Sequence, residues 1–437
     1  MANLSVKRMK TCSYYSLLFD IYFMRNSPFW WILIGFMVLV DAYFFQALKS
    51  VSHGASQRTR AIIYIIYWVI SIAAIVVLLL LPYMQGDKQF RFFKSSLFAI
   101  IAGLFFAKSV ASLFFLVDDL RRGLQWMFSK FSFPAKEFVK ETNGISRSAF
   151  LSWAGMIAGS GLFGNLIYGF ANKYRYQLVK QKLQFDNLPA AFKGLRVIQI
   201  SDIHSGSFNN KKAVMKGVEK IMNEKPDLIL FTGDLVNNVA NEMDDYIEVF
   251  EKLQAQLGVY AILGNHDYGD YVQWENSEQK IANLEKLKQV HAALGWRLLM
   301  NEHVRIGRGG ETISILGVEN WSAKARFPKY GDLNKAYTGT KPGEFKILMS
   351  HDPSHWKAEV LKRYPDISLM LAGHTHGMQF GVELPGIKWS PIQYMYKEWA
   401  GLYEAGSQKL YVNRGFGFLG YPGRVGILPE ITLFELT

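Results

Sequence analysis

The sequence predicts two fold classes in series. An all-α bundle of about four membrane-spanning helices fills residues 1–173, and an α/β domain of stacked, largely parallel sheets fills 174–437. Three observations carry this reading. Long apolar runs are confined to the first part. The charge divides near the same place: residues 1–182 hold 21 Lys+Arg against 7 Asp+Glu, and residues 183–437 hold 28 against 29. In the second part, five short apolar strands each end directly at an Asp, Asn or His.

The spans are expected at about 29–48, 61–82, 96–117 and 149–171. Each is near the roughly 20 apolar residues that cross a bilayer core, and Ala61 to Leu81 carries no charge at all. Basic residues around such runs read as membrane flanks, so membrane lipids are expected as partners and nucleic acid is not. No cleavable signal peptide is expected, because the first apolar run begins late and is followed by more. Cys12 is the single cysteine, which leaves no intrachain disulfide.

Two spans contain a charge, Asp41 in the first and Lys108 in the third. A mid-membrane charge costs at least ~2.5–3.5 kcal/mol on insertion scales. Simple hairpins make these two spans run the same way, with both charges at similar depth, so an Asp41–Lys108 pair is expected. The fourth span carries Gly155, Gly159, Gly161 and Gly164, and the four-residue spacing of the first two allows close helix packing. With four spans the termini share a side. Eleven flanking cations there against nine opposite lean slightly toward a cytoplasmic catalytic domain. A contrary hint is Ser146-Arg147-Ser148-Ala149-Phe150-Leu151, similar to a twin-arginine export signal that has lost its second arginine.

In the second part, residues 174–185 read as an edge strand. Leu195 to Ile200 is a buried strand ending at Ser201-Asp202-Ile203-His204, and residues 212–224 have helical spacing. Asp227 to Phe231 leads to Gly233-Asp234, a helix is expected at about 243–254, and Val259 to Leu263 leads to Gly264-Asn265-His266-Asp267. Phe345 to Met349 ends at His351, and Ile367 to Leu371 ends at Gly373-His374-Thr375-His376. In parallel sheets, ligands bind outside the carboxyl ends of the strands, which is where these motifs fall.

Asp-x-His and His-x-His place two side chains on one side of an extended backbone. Asp, Asn and His in this order suit two adjacent divalent metal ions, and the implied reaction is metal-assisted hydrolysis of a phosphate ester. Asp234 is the candidate bridge between the metals. Asp202, His204 and His376 would complete one site, and Asn265, His351 and His374 the other. His266 is left free to stabilise the transition state or protonate the leaving group, with Asp267 orienting its imidazole. Glycines at 233, 264 and 373 allow tight turns at the strand ends. His53, His291, His303 and His355 fall outside the motifs and are expected to be structural or solvated.

Across about residues 190–437 these motifs resemble the calcineurin-like metallophosphoesterase superfamily. Its membrane-linked bacterial branch is the most similar, through Ser201-Asp202-Ile203-His204, Gly373-His374-Thr375-His376-Gly377-x-Gln379 and Tyr411-Val412-Asn413-Arg414-Gly415. The resemblance implies a four-layer α/β/β/α sandwich, a dinuclear site of Mn, Fe or Zn on the residues above, a hydroxide between the metals as nucleophile, and a place in a bacterial plasma membrane. Relatives in this branch include enzymes that cleave the pyrophosphate of UDP-diacylglucosamine in lipid A synthesis, so a lipid-linked phosphoester is one expected substrate. A broad phosphodiesterase or nucleotidase merely tethered to the membrane, and a non-catalytic membrane sensor, are the competing readings.

One departure is visible. Many members carry an acidic-arginine pair after the Gly-Asp motif, where this chain has Asn237-Asn238. That weighs against protein phosphatase activity and leaves Arg414 or Arg424 to supply a substrate contact. The aromatic stretch 387–399, with Trp389 and Tyr394, suits an acyl-lined groove or a membrane interface. The segment 321–343, with Trp321, Lys324, Arg326, Phe327 and Lys329, reads as a basic lid.

Overall fold

The computed structural model describes residues 28–84, 88–131 and 147–437. Cys12 and the flanking cations Lys7, Arg8, Lys10, Arg25, Lys136 and Lys140 lie outside the described residues. The chain forms two compact units, Met1–Tyr168 and Gly169–Thr437.

The first unit is helical: α1 (Pro28–Ser52), α2 (Gln57–Leu80), α3 (Lys88–Phe131) and α4 (Arg147–Asn172). All four are long and apolar enough to cross a membrane. The Ser56 hydroxyl caps α2 by accepting from the backbone N–H of Thr59 at 3.2 Å. α3 departs from its expected bounds. It is one helix of 44 residues, about 66 Å at 1.5 Å per residue, so it overshoots a bilayer core of about 30 Å. No proline interrupts residues 118–131. Asp118 instead pairs with Arg121 at 2.9 Å and Arg122 at 3.4 Å, one helical turn on.

Inside this unit Asp41 and Lys108 pair at 2.5 Å, both buried. The Ser71 hydroxyl accepts from Lys108 Nζ at 2.8 Å and donates to Asp41 Oδ1 at 3.0 Å, and the Tyr67 hydroxyl also donates to that oxygen. Glycine spacing explains the packing of α4 on α3. A Cβ at Gly155 or Gly159 would stand 2.7 or 2.8 Å from the carbonyl oxygens of Ala111 and Ala107.

The second unit holds two six-stranded sheets. In spatial order the first contains β1 (Gln177–Leu183), β14 (Glu430–Leu436), β2 (Leu195–Ile200), β3 (Leu228–Phe231), β4 (Val259–Ala261) and β5 (Arg297–Leu298). The second contains β12 (Gly401–Ala405), β13 (Gln408–Val412), β9 (Leu369–Ala372), β8 (Lys346–Met349), β7 (Glu311–Gly317) and β6 (Glu302–Arg308). From β2 to β5 and from β7 through β8 and β9 to β13, neighbours pair parallel, as the apolar runs predicted.

One core lies between the sheets, where Val197, Leu228, Leu230 and Phe434 of the first meet Ile315, Ile347, Met349 and Leu371 of the second. Helices cover the outer faces. α5 (Lys211–Asn223) turns Val214, Val218 and Ile221 inward, and α7 (Ser277–Ala293) buries Leu287 and Val290. On the other side, Trp356 and Val360 pack with Leu333 and Ala336 of α8 (Leu333–Tyr337) over Leu348 and Met370. This is the expected α/β/β/α order.

The helix expected at 243–254 shrinks to a single turn, α6 (Ile247–Phe250), preceded by a 3-10 turn at Ala240–Met243. Tyr246, at φ −121°, breaks the two apart and packs its ring edge-on to Phe208.

Candidate metal centre

Five strands deliver the motif residues to one place. Asp202 and His204 follow β2, Asp234 follows β3, and Asn265 and His266 follow β4. His351 follows β8, while His374 and His376 follow β9. Asp202, His204, Asp234, His374 and His376 all have φ between +49° and +72°. Left-handed backbone costs a non-glycine residue about 1–2 kcal/mol, and five such residues in one cluster mark a functional site. Two glycines allow the close approach. A Cβ on Gly264 would run into Asp234 Oδ1, and one on Gly373 into Ser201 Oγ and Asp202 Oδ2.

Two adjoining donor groups result. Asp202, His204 and His376 form one, and Asp234, His351 and His374 the other; within each, the ligand atoms lie within 4.8 Å of one another. His376 Nε2 stands 3.1 Å from both Asp202 Oδ1 and His204 Nε2. Asp234 divides its carboxylate. Oδ1 accepts the backbone N–H of His266 at 2.8 Å, whereas Oδ2 faces His204 Nε2 at 3.6 Å and His351 Nε2 at 3.1 Å. Asn265 Oδ1 joins the second group, 2.8 Å from His374 Nδ1.

The hydrogen bonds around the imidazoles test whether the cluster suits metal ions. His204 and His351 turn Nδ1 toward the carbonyl oxygens of Val236 (3.2 Å) and Thr232 (2.8 Å). His374 turns Nε2 toward the Tyr396 hydroxyl at 3.1 Å, and that hydroxyl donates to Asp352 Oδ2 at 3.1 Å. A ring nitrogen that donates leaves the other as a lone pair. With all three rings neutral, three lone pairs would point at the oxygens of Asp234 and Asn265. Acceptors facing acceptors repel unless a cation lies between them, and carbonyl- and carboxylate-anchored imidazoles are the usual surroundings of a metal.

Electrostatics shows how the cluster balances its charge without an ion. Burial pushes the carboxyls of Asp202 and Asp234 up, but the neighbouring imidazoles outweigh it and hold both below the usual carboxylate range. Burial pulls His351 down, yet Asp234 and then Asp202 outweigh that and push it up to about 10. Burial, aided by the His266 and His376 imidazoles and opposed by Asp234, keeps His204 well below the usual histidine range. With no ion bound, a proton on His351 supplies the positive charge beside Asp234; a metal ion there would take that proton's place, because an imidazole must be neutral to ligate.

Several expected roles change. Asp267 does not reach the His266 imidazole. Its Oδ2 accepts the backbone N–H groups of Asp234 (2.9 Å) and Gly264 (2.8 Å), and Oδ1 those of Leu235 (2.8 Å) and Val236 (3.3 Å). The ring of His266 is held by the carbonyl of Asn237, 2.7 Å from Nδ1, and stands edge-on to His204 with ring centroids 5.0 Å apart. The backbone at Asn237 thus positions this histidine.

Arg414 is also placed differently: it is buried and pairs with Glu430 and Glu383. Arg424 is buried as well, donating to the carbonyls of Arg414 and Gly415 at 2.7 and 3.2 Å, with Nη2 3.3 Å from His376 Nδ1. Both arginines are thus held in buried contacts, Arg414 beside Glu430 and Arg424 beside His376. Trp389 and Tyr394 turn outward to the surface.

From the expected lid, Phe327 meets the His374 ring edge-on at 4.7 Å, and Lys324 Nζ lies 5.3 Å from the Tyr396 ring. Trp321 stacks on His355 at 4.1 Å, and His355 bonds Ser350 and Glu359, so it is structural as expected. Tyr396, Asp352 and Tyr271, whose hydroxyl accepts from Asn265 Nδ2 at 2.9 Å, escaped the sequence reading. Asp352 carried a signal, as the residue after His351 in Ser-His-Asp-Pro. Tyr396 stood only in an aromatic-rich run.

An α/β/β/α sandwich whose strand ends gather two adjoining His–carboxylate groups is a metal-dependent hydrolase domain, here following four helices long enough to span a membrane. Comparison with known proteins agrees. Residues 195–378 match the calcineurin-like phosphoesterase family, and residues 24–173 match the probable calcineurin-like phosphoesterase transmembrane domain. The chain belongs to the calcineurin-like phosphoesterase family. It is 30% identical to the uncharacterized metallophosphoesterase YkuE of Bacillus subtilis, over 67% of this chain and 98% of that one. It is 29% identical to phosphodiesterase YaeI of Escherichia coli, over 67% of this chain and 99% of that one. A transmembrane protein with metallophosphoesterase domain from Danio rerio is 29% identical over 61% of this chain, and the match spans 59% of that protein's length.

Proposed function

We propose that this chain is a membrane-anchored dimetal phosphoesterase that hydrolyses a phosphodiester or pyrophosphate bond in a lipid-linked substrate. The observation that carries the reading is Asp234 Oδ2, one carboxylate oxygen facing His204 of one donor group and His351 of the other. Asp202, His204 and His376 would hold one ion, Asn265, His351 and His374 the second, and Asp234 both. When bound, divalent ions supply charge that polarises a phosphoryl group and acidifies water.

The chain's own groups do the rest. His266, anchored through Nδ1, presents Nε2 as the atom that passes a proton to the leaving oxygen. Phe327 and Tyr396 wall the second donor group at His374. Exposed Lys324 and Arg326 beside them supply cations for the phosphate, the task expected of Arg414 and Arg424. The name of the relative YaeI supports a diester. The four apolar helices and the outward-facing Trp389 and Tyr394 support a substrate drawn from lipid.

Hydrolysis by the detergent-purified full-length protein with added Mn²⁺ tests this, comparing UDP-diacylglucosamine with bis-p-nitrophenyl phosphate. Turnover favouring the acylated nucleotide, lost in His266→Ala and Asp234→Asn, is the expected result. Turnover of the generic diester alone would remove the lipid assignment and leave a tethered phosphodiesterase. No turnover of either with two metals bound would remove the enzymatic reading.

A further inference from the structure

The two-stranded ribbon of β10 (Val382–Leu384) and β11 (Ile387–Trp389) is built inside out. Its register pairs Val382 with Trp389, Glu383 with Lys388 and Leu384 with Ile387. Side chains alternate along a strand, so Glu383 and Lys388 share one face and the four apolar residues the other. All six residues are exposed, but only the polar face makes anchoring contacts to the rest of the protein. Glu383 pairs with Arg414, and Lys388 donates to the carbonyl of Ala400 and lies 4.8 Å from the Trp399 ring. The apolar face is open: Val382 is 41% exposed, Leu384 60%, Ile387 56% and Trp389 36%. Tyr394, 79% exposed, adjoins Trp389, and Met395 and Met378 are exposed as well.

A water-facing ribbon has the opposite arrangement, and exposed apolar surface of this extent marks an interaction site. We infer that this face inserts into the headgroup and upper acyl region of the bilayer. Two features select lipid over a protein partner. The first is continuity with a spanning helix. The stem of the ribbon bonds to residue 425 (Gly381 N–H to the Val425 carbonyl, 2.9 Å), and residue 424 bonds to the last turn of α4 (Arg424 N–H to the Gly169 carbonyl, 2.9 Å). Asn172 Nδ2 donates to the Arg424 carbonyl at 3.3 Å. The stem of the ribbon is thus linked, through residues 424 and 425, to the last turn of α4, the end of the fourth candidate span. The second is composition: a Leu–Ile tip flanked by Trp and Tyr matches the aromatic belt of membrane interfaces.

The consequence goes beyond the proposed reaction. Tyr394 and Met395 of the docked surface directly precede Tyr396, which bonds His374. One short segment thus joins the docked surface to the metal centre.

The test uses the full-length chain with Cys12→Ser and a single new cysteine, Leu384→Cys or Ile387→Cys. Each is labelled with NBD and reconstituted into phosphatidylethanolamine–phosphatidylglycerol nanodiscs, with and without doxyl-labelled lipid. Glu285→Cys, exposed on α7, is the reference. Blue-shifted emission at 384 and 387, quenched several-fold more by doxyl lipid than at 285, is the expected result. Equal quenching at all three positions would overturn the inference. So would a blue shift without doxyl quenching, the signature of a second copy or another protein on this face. Unchanged thermal unfolding of each labelled variant guards against misfolding. None of these readouts requires turnover, so failure of the phosphoesterase reading would leave the outcome intact.

Discussion

Asp267 Oδ2 accepts a hydrogen bond from the backbone N–H of Asp234 at 2.9 Å, so one buried carboxylate aims another. Burial and the charge of Asp234 push Asp267 up to about 7, against the pull of its backbone donors. Asp267→Asn would set an amide NH₂ against N–H groups in the turn that carries Asp234. Hydrogen bonds to a charged group are worth about 1.5–3 kcal/mol each, so a loss on the order of 3 kcal/mol is expected. Thermal unfolding should fall by several degrees, with metal content falling in parallel. A variant as stable as the parent, with only kcat reduced, would return Asp267 to orienting His266.

Tyr396 joins His374 to Asp352. Groups that orient a ligand imidazole affect metal affinity or activity by about 10–100-fold. Tyr396→Phe is expected to lose one metal equivalent to chelator at about tenfold lower concentration, with unchanged melting in excess Mn²⁺. Identical chelator titrations for the two proteins would exclude this role.

Asp41 and Lys108 form a closed pair with Ser71 and Tyr67 inside the helical unit. Removing one partner of a buried pair costs about 3–5 kcal/mol, whereas apolar replacement of both is often neutral. Asp41→Leu and Lys108→Met should each lower melting in detergent, and the double variant should recover most of the loss. Additive losses would contradict the coupling.

His291 is fully buried against Phe231 and Trp296, and neither ring nitrogen has a hydrogen-bond partner among the described residues. Burial pulls it down to about 3 from an ordinary 6.5. The folded state therefore binds fewer protons than the unfolded state between those values. The resulting stability is whole above pH 6.5 and is lost as pH falls toward 3, at up to about 1.4 kcal/mol per pH unit. His291→Leu, studied with chelator so that metal release does not contribute, should flatten the dependence of melting on pH from 6.5 to 4.5. Parallel curves for parent and variant would refute this.

The strand ends, the donor residues and their division into two groups were legible because each motif is local: an apolar run followed directly by Asp, Asn or His. Roles that depend on distant neighbours were not. Asp267 lies next to His266 in the chain, but folding turns its carboxylate to the turn after Gly233. Arg414 had the chemistry of a phosphate ligand, yet Glu383 and Glu430 claim it. The β10–β11 ribbon alternates as any half-buried strand does, and periodicity does not say which face turns inward. α3 overran its span because hydropathy marks where a bilayer ends, whereas helix continuity depends on local pairs such as Asp118 with Arg121.

Strand β14 lies between β1 and β2 and bonds to both. Its partners lie far upstream: the backbone of Thr437 bonds to Leu183, a separation of 254 residues. β1 leaves the spanning helix early in synthesis, and until β14 has been made, β1 and β2 have no neighbour to share. Closing so long a loop is slow. A translating ribosome must therefore release nearly the whole catalytic unit before its first sheet can zip shut. Nascent chains stalled upstream of residue 430 would hold the Asp202 loop on an incomplete sheet.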